Sequence, residues 1–296
     1  MVVLENDECR ATVDEHGAEL TSFYSKALDR EYLWDGSGAW HRHAPVLFPV
    51  VGGLAEGACL VDGERYELPA HGFARDMDFE VVEAAPDRAT LRLSSTPETR
   101  AVYPFDFAFS ITYELRRSHL RQVWRVENTG DRTMRFSVGA HPAFKLKEGT
   151  ELESYSLLFD REFPLRTVGV EGRLVTREKR EYAEPADHLD LAPEVFANDT
   201  FIMQEGVSGI ELTNGTDYRV DIRFPGFPAV AVWTPAPDAG FVCVEPWYGI
   251  NDHVGDGVRE LAEKDLIQTV EPGGTWRRSL SYEILEPLTL VQMQLR

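Results

Sequence analysis

Three polar residues stand among glycines, prolines and aromatic residues in stretches that are otherwise apolar. They are His71 in "PAHGFARD", His141 in "SVGAHPAF" and Glu245 in "FVCVEPWYGIND". Glu245 follows four apolar or small residues, and a carboxylate is rarely buried without a partner. A carboxylate and an imidazole that share one site can act as base and acid in proton transfer. The residue types therefore indicate acid–base chemistry at these positions.

His141 and Glu245 share a second feature, because each comes at the predicted end of an apolar strand and is followed directly by proline. A residue before proline is restricted to extended backbone. The proline ring also removes a backbone donor, so normal strand pairing should stop there. We expect stiff backbone to hold both side chains, as an acid and a base require. Gly139 and Ala140 should let a ligand or another chain approach His141 closely.

Each of these residues also has a purely structural explanation. A lone histidine on an apolar strand is more often a hydrogen-bonded core residue. His71 could bond a carbonyl in its glycine-rich turn, and Glu245 could pair with a buried arginine. Trp247, Tyr248 and Phe73 are either core residues or a stacking wall for a ring. No spacing rule joins the three polar residues, so taken alone they leave both interpretations open.

A metal site is not expected. His41 and His43, in "HRH", would face one side of a strand as a ligand pair. No cysteine, histidine or carboxylate cluster at metal-ligand spacing completes this pair, which favours a surface or site-rim role. The sequence also has no phosphate-cradling glycine loop and no GxSxG nucleophile motif. We therefore expect neither a metal nor a cofactor.

Composition excludes several classes of partner. The 296 residues carry a formal net charge of −20, with no lysine- or arginine-rich run to neutralise phosphates, so nucleic acid and anionic membrane surfaces are not expected partners. No stretch approaches the roughly 18–20 apolar residues of a membrane span. The start lacks the apolar core of a signal peptide, and the three cysteines are isolated and odd in number. We expect a reduced, soluble, cytoplasmic protein, whose oligomeric state the sequence does not define.

Strands must position the candidate residues, and strand signals dominate the chain. An acidic run at 181–194 is expected to be a solvated loop, and 257–264 a short helix or helical turn. Turn residues at short intervals, without a long linker or repeat, predict one large antiparallel β-sandwich or barrel-like domain. The predicted strands lie in 89–95, 105–130 (two strands joined at "RRSHL"), 134–144, 154–160, 200–204, 209–224 (a hairpin around Asn214-Gly215), "PAVAVWTP", "FVCVEPW" and "TWRRSLSYEIL".

Four motifs carry a family resemblance: "LFPVVGG", "HGFAR", "GAHPAF" and "CVEPWYGIND". In this order, over nearly the full chain, they resemble the aldose 1-epimerase (galactose mutarotase-like) family, and within it the LacX-like branch. The resemblance implies a large antiparallel β-supersandwich, as a single domain over 1–296. It also implies interconversion of the α- and β-anomers of a hexose without a cofactor.

The resemblance further implies a role for each matching residue. Glu245 matches the catalytic glutamate, a general base, and His141 matches the catalytic histidine, a general acid. His71 matches a second active-site histidine that holds the sugar near its ring oxygen. Asp199, in "NDTFIM", stands where the family has a sugar-binding aspartate before an apolar strand. Arg75 matches a feature of the branch that is expected to line the pocket.

Several alternatives stay open on the sequence. A related branch acts on hexose 6-phosphates through arginines, and Arg42 and Arg75 form a candidate pair for the phosphate. The net charge argues mildly against a phosphorylated ligand, although it does not fix a local pocket. Trp247, Tyr248 or Phe73 is expected to stack on the apolar face of the sugar. A non-catalytic sugar-binding protein is a further alternative. So is a glycoside hydrolase, which needs two opposed carboxylates where the motifs supply only Glu245.

Overall fold

The computed structural model describes residues 1–38 and 40–289, and most of its regular backbone is extended. Among these residues there is one short α-helix, α1 (Pro97–Val102), with 3-10 turns at Ala55–Gly57, Ala74–Asp76, Leu152–Ser154, Pro193–Phe196 and Leu261–Glu263. In chain order the strands are β1 (Val2–Glu5), β2 (Cys9–Val13), β3 (Leu20–Ser25), β4 (Arg30–Glu31), β5 (Val46–Leu47), β6 (Ala58–Val61), β7 (Glu64–Glu67), β8 (Glu80–Ala85), β9 (Arg88–Ser94), β10 (Phe107–Arg116), β11 (His119–Asn128), β12 (Met134–Phe136), β13 (Val138–Ala140), β14 (Ala143–Lys145), β15 (Ser156–Glu171), β16 (Leu174–Asp190), β17 (Phe201–Met203), β18 (Gly209–Thr213), β19 (Arg219–Arg223), β20 (Ala229–Trp233), β21 (Phe241–Tyr248), β22 (Gln268–Val270) and β23 (Thr275–Ile284).

Two large antiparallel sheets contain most of these strands. The nine-stranded sheet has the order β16-β15-β18-β19-β23-β11-β10-β9-β8. The six-stranded sheet has the order β17-β20-β21-β13-β5, with β14 also paired to β21. Smaller sheets consist of β1 to β4, of β6 with β7 and of β12 with β22. The predicted all-β antiparallel class is confirmed. No helix among the described residues is long and apolar enough to cross a bilayer.

Both predicted hairpins are present. Strands β10 and β11 pair along their whole length and join at 117–118. Strands β18 and β19 join through 214–218. There the Asn214 side-chain oxygen accepts hydrogen bonds from the backbone N–H groups of Thr216 and Tyr218. Asparagine closes turns in this way, so the turn was readable in the sequence.

The acidic run at 181–194 was wrongly predicted to be a loop. Most of it belongs to β16, which pairs with β15 at the edge of the nine-stranded sheet. Most side chains of β16 are exposed or half-exposed, so no apolar alternation marks the strand. Pro185 is compatible with an edge strand, where one row of backbone donors needs no partner. The stretch 257–264 forms only the 3-10 turn Leu261–Glu263.

Strand β21 is buried along its whole length, and its two faces differ. Successive side chains of a strand point to opposite faces of the sheet. Val242 and Val244 accordingly join the main hydrophobic core, whereas Cys243 and Trp247 join smaller clusters on the other face. Glu245 shares the second face. The alternation of the strand therefore directs Glu245 away from the main core.

Glu245 lies inside β21 rather than at its end, contrary to the prediction. The strand continues through Pro246 and pairs with β20, with Glu245 opposite Ala231. The Val244 N–H points away from β20, towards the segment between β13 and β14, where it donates to the Pro142 carbonyl at 3.3 Å. Backbone groups of alternate residues point the same way, so the donor that Pro246 lacks would also have pointed there. Pro246 therefore leaves the pairing with β20 intact.

His141 does lie just beyond a strand end. Pairing with β21 stops after Gly139, opposite Trp247, and resumes at Ala143, opposite Cys243. His141 lies midway between Gly139 and Ala143, and Glu245 lies midway between Trp247 and Cys243, so the same register places His141 opposite Glu245. Side chains directly opposite each other across two strands are near neighbours. A broken ladder in continuous register thus brings the imidazole to the carboxylate.

Candidate active site

A cavity of about 340 Å³ lies on the face of the six-stranded sheet that carries Glu245. This volume is within the range of small-molecule sites, about 300–1,000 Å³. Both predicted catalytic residues line it, as do all the predicted binding residues except Arg42. The lining residues that bear on function are Trp40, His71, Arg75, His141, Arg173, Asp199, Trp233, Glu245, Trp247 and Asn251.

His141 and Glu245 form a close pair in this cavity. The Nε2 atom of His141 lies 3.3 Å from Oε2 of Glu245, and both side chains are buried. Glu245 Oε2 makes no aligned hydrogen bond, and His141 Nδ1 has no hydrogen-bond partner among the described residues. Buried polar atoms are rarely left unsatisfied, and a catalytic role is one explanation for an exception. The pair therefore retains bonding capacity for a ligand.

Burial determines how the pair holds protons. Burial raises the pKa of the Glu245 carboxyl well above its usual range, against an opposing effect of the Trp247 indole. Burial also lowers the pKa of the His141 imidazole. Each group alone is thus disfavoured as an ion. Two arrangements of the pair hold the same number of protons, the carboxyl with neutral imidazole and the carboxylate with imidazolium.

His71 is fixed as a hydrogen-bond donor. Its Nδ1 atom accepts the Gly52 N–H at 3.2 Å, and its own backbone N–H donates to the Gly52 carbonyl at 3.0 Å. Burial lowers the pKa of this imidazole well below its usual range, so the ring is neutral. A neutral ring whose Nδ1 accepts carries its proton on Nε2. His71 thus offers an Nε2–H donor, and its ring centre lies 5.7 Å from that of His141.

Asp199 is held at the cavity wall by a tryptophan. The Trp233 indole N–H donates to Asp199 Oδ1 at 2.9 Å. Asp199 has a left-handed backbone with φ of 72°, a strained conformation that is frequent at functional sites. Trp233 was not predicted, because its place depends on how β20 pairs with β21. It lies two residues beyond Ala231, which pairs with Glu245, so strand alternation places it on the cavity face.

Trp40 was also missed. Its ring stacks on His141 with centroids 5.0 Å apart, and it meets Trp233 edge-on at 5.8 Å. Together with Trp247 these tryptophans form aromatic walls beside the His141–Glu245 pair. Trp40 lies outside any regular element, so no periodicity marked it.

Arg75 and Arg173 line the cavity, whereas Arg42 does not. Arg75 lines the cavity, and its Nη2 atom donates to the Ala70 carbonyl at 2.9 Å. Arg42 pairs instead with Asp76 at 2.8 Å and does not line the cavity. Arg173, which was not predicted, reaches the cavity from the tip of the β15–β16 hairpin. Two guanidinium groups therefore stand on the wall of a site in a strongly acidic protein.

The tip of that hairpin is held in place by non-local contacts. Asn251 Nδ2 donates to the Arg173 carbonyl at 2.9 Å, and Val175 forms a bridge to His253. A Cβ atom at Gly53 would lie 2.2 Å from the Arg173 carbonyl oxygen, so a larger residue would displace the tip. None of these contacts is visible as a local pattern.

Tyr248, Phe73 and Gly139 do not have the places at a ligand site that the sequence suggested for them. Tyr248 points to the main core and packs on Phe227 at 4.6 Å, and Phe73 packs among core aromatics. Trp247 is therefore the one aromatic candidate of the three that lines the site. A Cβ atom at Gly139 would lie 2.6 Å from Trp247 Cδ1. This glycine thus makes room for the tryptophan rather than for a ligand.

We assign no metal to the described residues. His141, Cys243 and Glu245 bring potential ligand atoms within 4.8 Å of one another. Burial raises the pKa of the Cys243 thiol well above its usual range, so forming the thiolate that a metal requires would add to the cost of binding one there. His43 pairs with Glu19 at 3.8 Å, and His41 contacts the Gly36 carbonyl. No third histidine, cysteine or carboxylate among the described residues completes a ligand set with these two histidines.

Comparison with known proteins gives the family. Residues 1–283 match the family model described as aldose 1-epimerase. The chain belongs to this family. It is therefore an isomerase that acts on carbohydrates. Among curated relatives, protein LacX (plasmid) of Lactococcus lactis subsp. lactis is 27% identical over 305 residues, covering 96% of this chain and 99% of that protein.

Solved structures of family relatives have the same fold. A galactose mutarotase-like protein from Lactobacillus casei superimposes with a TM-score of 0.91 at 28% identity, covering 96% of this chain and 100% of that one. A galactose mutarotase related enzyme from Lactobacillus acidophilus has a TM-score of 0.88 at 29% identity, covering 97% and 99%. The predicted galactose mutarotase-like fold is confirmed.

Proposed function

We propose that this member of the aldose 1-epimerase family interconverts the α- and β-anomers of a hexose through its own side chains, by acid–base ring opening. The contact between His141 Nε2 and Glu245 Oε2, at 3.3 Å on the wall of one cavity, carries this proposal. Ring opening needs a base and an acid within reach of one substrate, and this pair supplies both.

The number of protons that His141 and Glu245 hold together stays the same through the reaction. Glu245 as carboxylate takes the proton from the C1 hydroxyl, the bond between C1 and the ring oxygen breaks, and imidazolium His141 gives a proton to that oxygen. The pair then holds a carboxyl and a neutral imidazole, still with one proton in total. Rotation about C1–C2 exposes the other carbonyl face, and closure returns both protons. Burial favours the uncharged arrangement, which is the one that the pair reaches when the ring opens.

The remaining wall residues are assigned to substrate binding. His71 donates its Nε2–H to a sugar oxygen near the reacting centre, and Asp199 accepts from a hydroxyl group. Trp247 presents its ring to the C–H face of the sugar, with Trp40 and Trp233 on the adjoining walls. These contacts orient the ring so that the acid and the base meet their atoms.

A phosphorylated hexose is the second candidate substrate. Arg75 and Arg173 both line the cavity, and guanidinium groups bind phosphate oxygens with two parallel hydrogen bonds. If this candidate is correct, kcat/KM for glucose 6-phosphate exceeds that for glucose. Arg75→Ala and Arg173→Ala would then each remove that preference, whereas Arg42→Ala, which lies outside the lining set, would change it less.

Anomer exchange measured by NMR on a panel of free and phosphorylated aldoses tests the proposal. Wild-type protein should accelerate exchange for at least one sugar, and Glu245→Gln should bind the same sugar without accelerating it. Binding without acceleration by the wild type would indicate a sugar-binding protein instead. Neither binding nor acceleration across the panel would contradict both substrate assignments.

A further inference from the structure

Asp252 is a buried carboxylate with every oxygen bonded. Its Oδ1 atom accepts from Lys264 Nζ at 2.8 Å and lies 3.4 Å from Arg259 Nη2. Its Oδ2 atom accepts the Ala55 N–H at 2.9 Å. The side chains of Asp252 and Lys264 are only 3% and 2% exposed. A pair buried to this degree gains little net stability over apolar residues of the same size, so what it positions matters more than what it stabilises.

The bonds of Asp252 hold the loop next to the cavity. Besides the bond from Ala55 N–H to its side chain, the Asp252 backbone N–H donates to the Gly53 carbonyl at 2.9 Å. Gly52 is the next residue of this loop, and its N–H is the donor to Nδ1 of His71. A Cβ atom at Gly52 would lie 2.2 Å from Asn251 Cγ, so the loop is closely packed here as well.

The loop is therefore clamped on one side by Asp252 and bonded on the other to the imidazole that faces the sugar. We propose that Asp252, anchored by Lys264, is a positioning residue that aims the Gly52 N–H at His71 and so fixes the Nε2–H tautomer. Without this donor, Nδ1 is free to carry the proton, and Nε2 then becomes an acceptor. The kinetic consequence rests on the proposed function, whereas the tautomer does not.

Two variants remove the clamp in different ways. Ala55→Pro deletes the N–H that Asp252 accepts and leaves Asp252 and Lys264 unchanged. The proline ring takes the place of that hydrogen, so it also pushes the carboxylate away from Ala55, and the fold of this variant is checked first by circular dichroism. Asp252→Ala/Lys264→Met removes the acceptor without leaving an unpaired buried lysine. Asp252→Asn/Lys264→Met removes both charges and keeps an acceptor, so it should rescue the clamp.

The readouts are the His71 ring nitrogen shifts by NMR and the separate values of kcat and KM. In both disrupting variants we expect a population with the proton on Nδ1 of His71. We also expect KM to rise roughly ten- to a hundredfold, the usual cost of a small misplacement. The change in kcat should be smaller, because His71 contacts the sugar before and during the reaction. The rescue variant should restore the wild-type tautomer and KM.

Asp265→Asn is the matched control. Asp265 accepts a hydrogen bond at 2.6 Å from Nε2 of His253, the residue that follows Asp252. Asp265 itself makes no bond to the 52–55 loop. It should leave the His71 tautomer unchanged. A folded disrupting variant that keeps the wild-type tautomer, or a KM rise without a tautomer change, would overturn the proposal. If no variant or wild-type protein exchanges anomers, the proposed function fails, while the tautomer still tests the clamp.

Discussion

Glu245 and Asp252 lie seven positions apart in the sequence and are equally buried, at 1% and 2% exposure, yet their surroundings differ. Asp252 bonds a lysine and a backbone N–H with its two oxygens. Glu245 has an oxygen without an aligned hydrogen bond, facing His141. A carboxylate with all its bonds made fixes geometry, whereas one with an open oxygen can exchange a proton. Burial alone therefore does not distinguish structure from chemistry.

The largest expected effect comes from Glu245→Gln, which keeps the size of the side chain and removes the base. Anomer exchange should fall by roughly 10²–10⁴-fold, the usual contribution of a positioned proton-transfer group. The fold should be retained, because an amide in this buried place carries no charge to desolvate. NMR exchange rates beside circular dichroism check both parts. A rate near that of the wild type would remove Glu245 from the mechanism.

Asp252→Ala should have the opposite profile, with its main effect on stability. It leaves Lys264 buried without its carboxylate, a change that typically costs about 3–5 kcal/mol. Urea unfolding measures this, and Asp252→Asn/Lys264→Met should recover most of the loss. If Asp252→Ala were as stable as Glu245→Gln, the contrast between the two carboxylates would be wrong.

The pH dependence of stability sharpens the contrast further. The ordinary pKa of glutamate is 4.5, and burial raises that of Glu245 in the folded protein. Above about pH 4.5 the Glu245 carboxyl releases its proton in the unfolded chain but retains it in the folded protein. The wild type therefore loses stability as pH rises. Glutamine has no such proton. The stability of Glu245→Gln relative to wild type should therefore increase with pH, by up to about 1.4 kcal/mol per unit.

Urea unfolding of both proteins between about pH 5 and pH 8 checks this linkage. Glu153→Gln, at an exposed position, controls for the simple loss of a negative charge. A stability difference that stays constant over this pH range would mean that Glu245 is ionised in the folded protein as it is in the unfolded one.

The smallest effect is expected at the wall of the cavity. Trp233→Phe keeps an aromatic ring and removes the N–H that donates to Asp199. KM should rise about fivefold with little change in kcat, the scale of one hydrogen bond. Trp276→Phe, which removes an indole N–H bonded to Gln268 away from the cavity, is the control. Equal effects of the two variants would exclude a binding role for Trp233.

Much of the site was readable in the sequence because its polar residues stand in motifs of glycine, proline and aromatic residues. His71, His141 and Glu245 were singled out in this way, whereas their roles came only from the family resemblance and remain predictions. The cross-strand register explains why the last two meet. Arg173 was missed, because the edge strand that leads to it has no apolar alternation. The partnership of Asp252 with Lys264 was equally hidden, because charged residues in a polar segment look solvated until distant elements enclose them.

The pH profile of anomer exchange tests the central claim most directly, since the claim is that His141 and Glu245 work with one shared proton. For the wild type we expect the rate to depend on pH as a bell-shaped curve. The low-pH limb appears where the pair gains a second proton and the high-pH limb where it loses its only one. In Glu245→Gln the residual rate should no longer follow that bell. A flat wild-type profile, or the same bell in Glu245→Gln, would contradict the account.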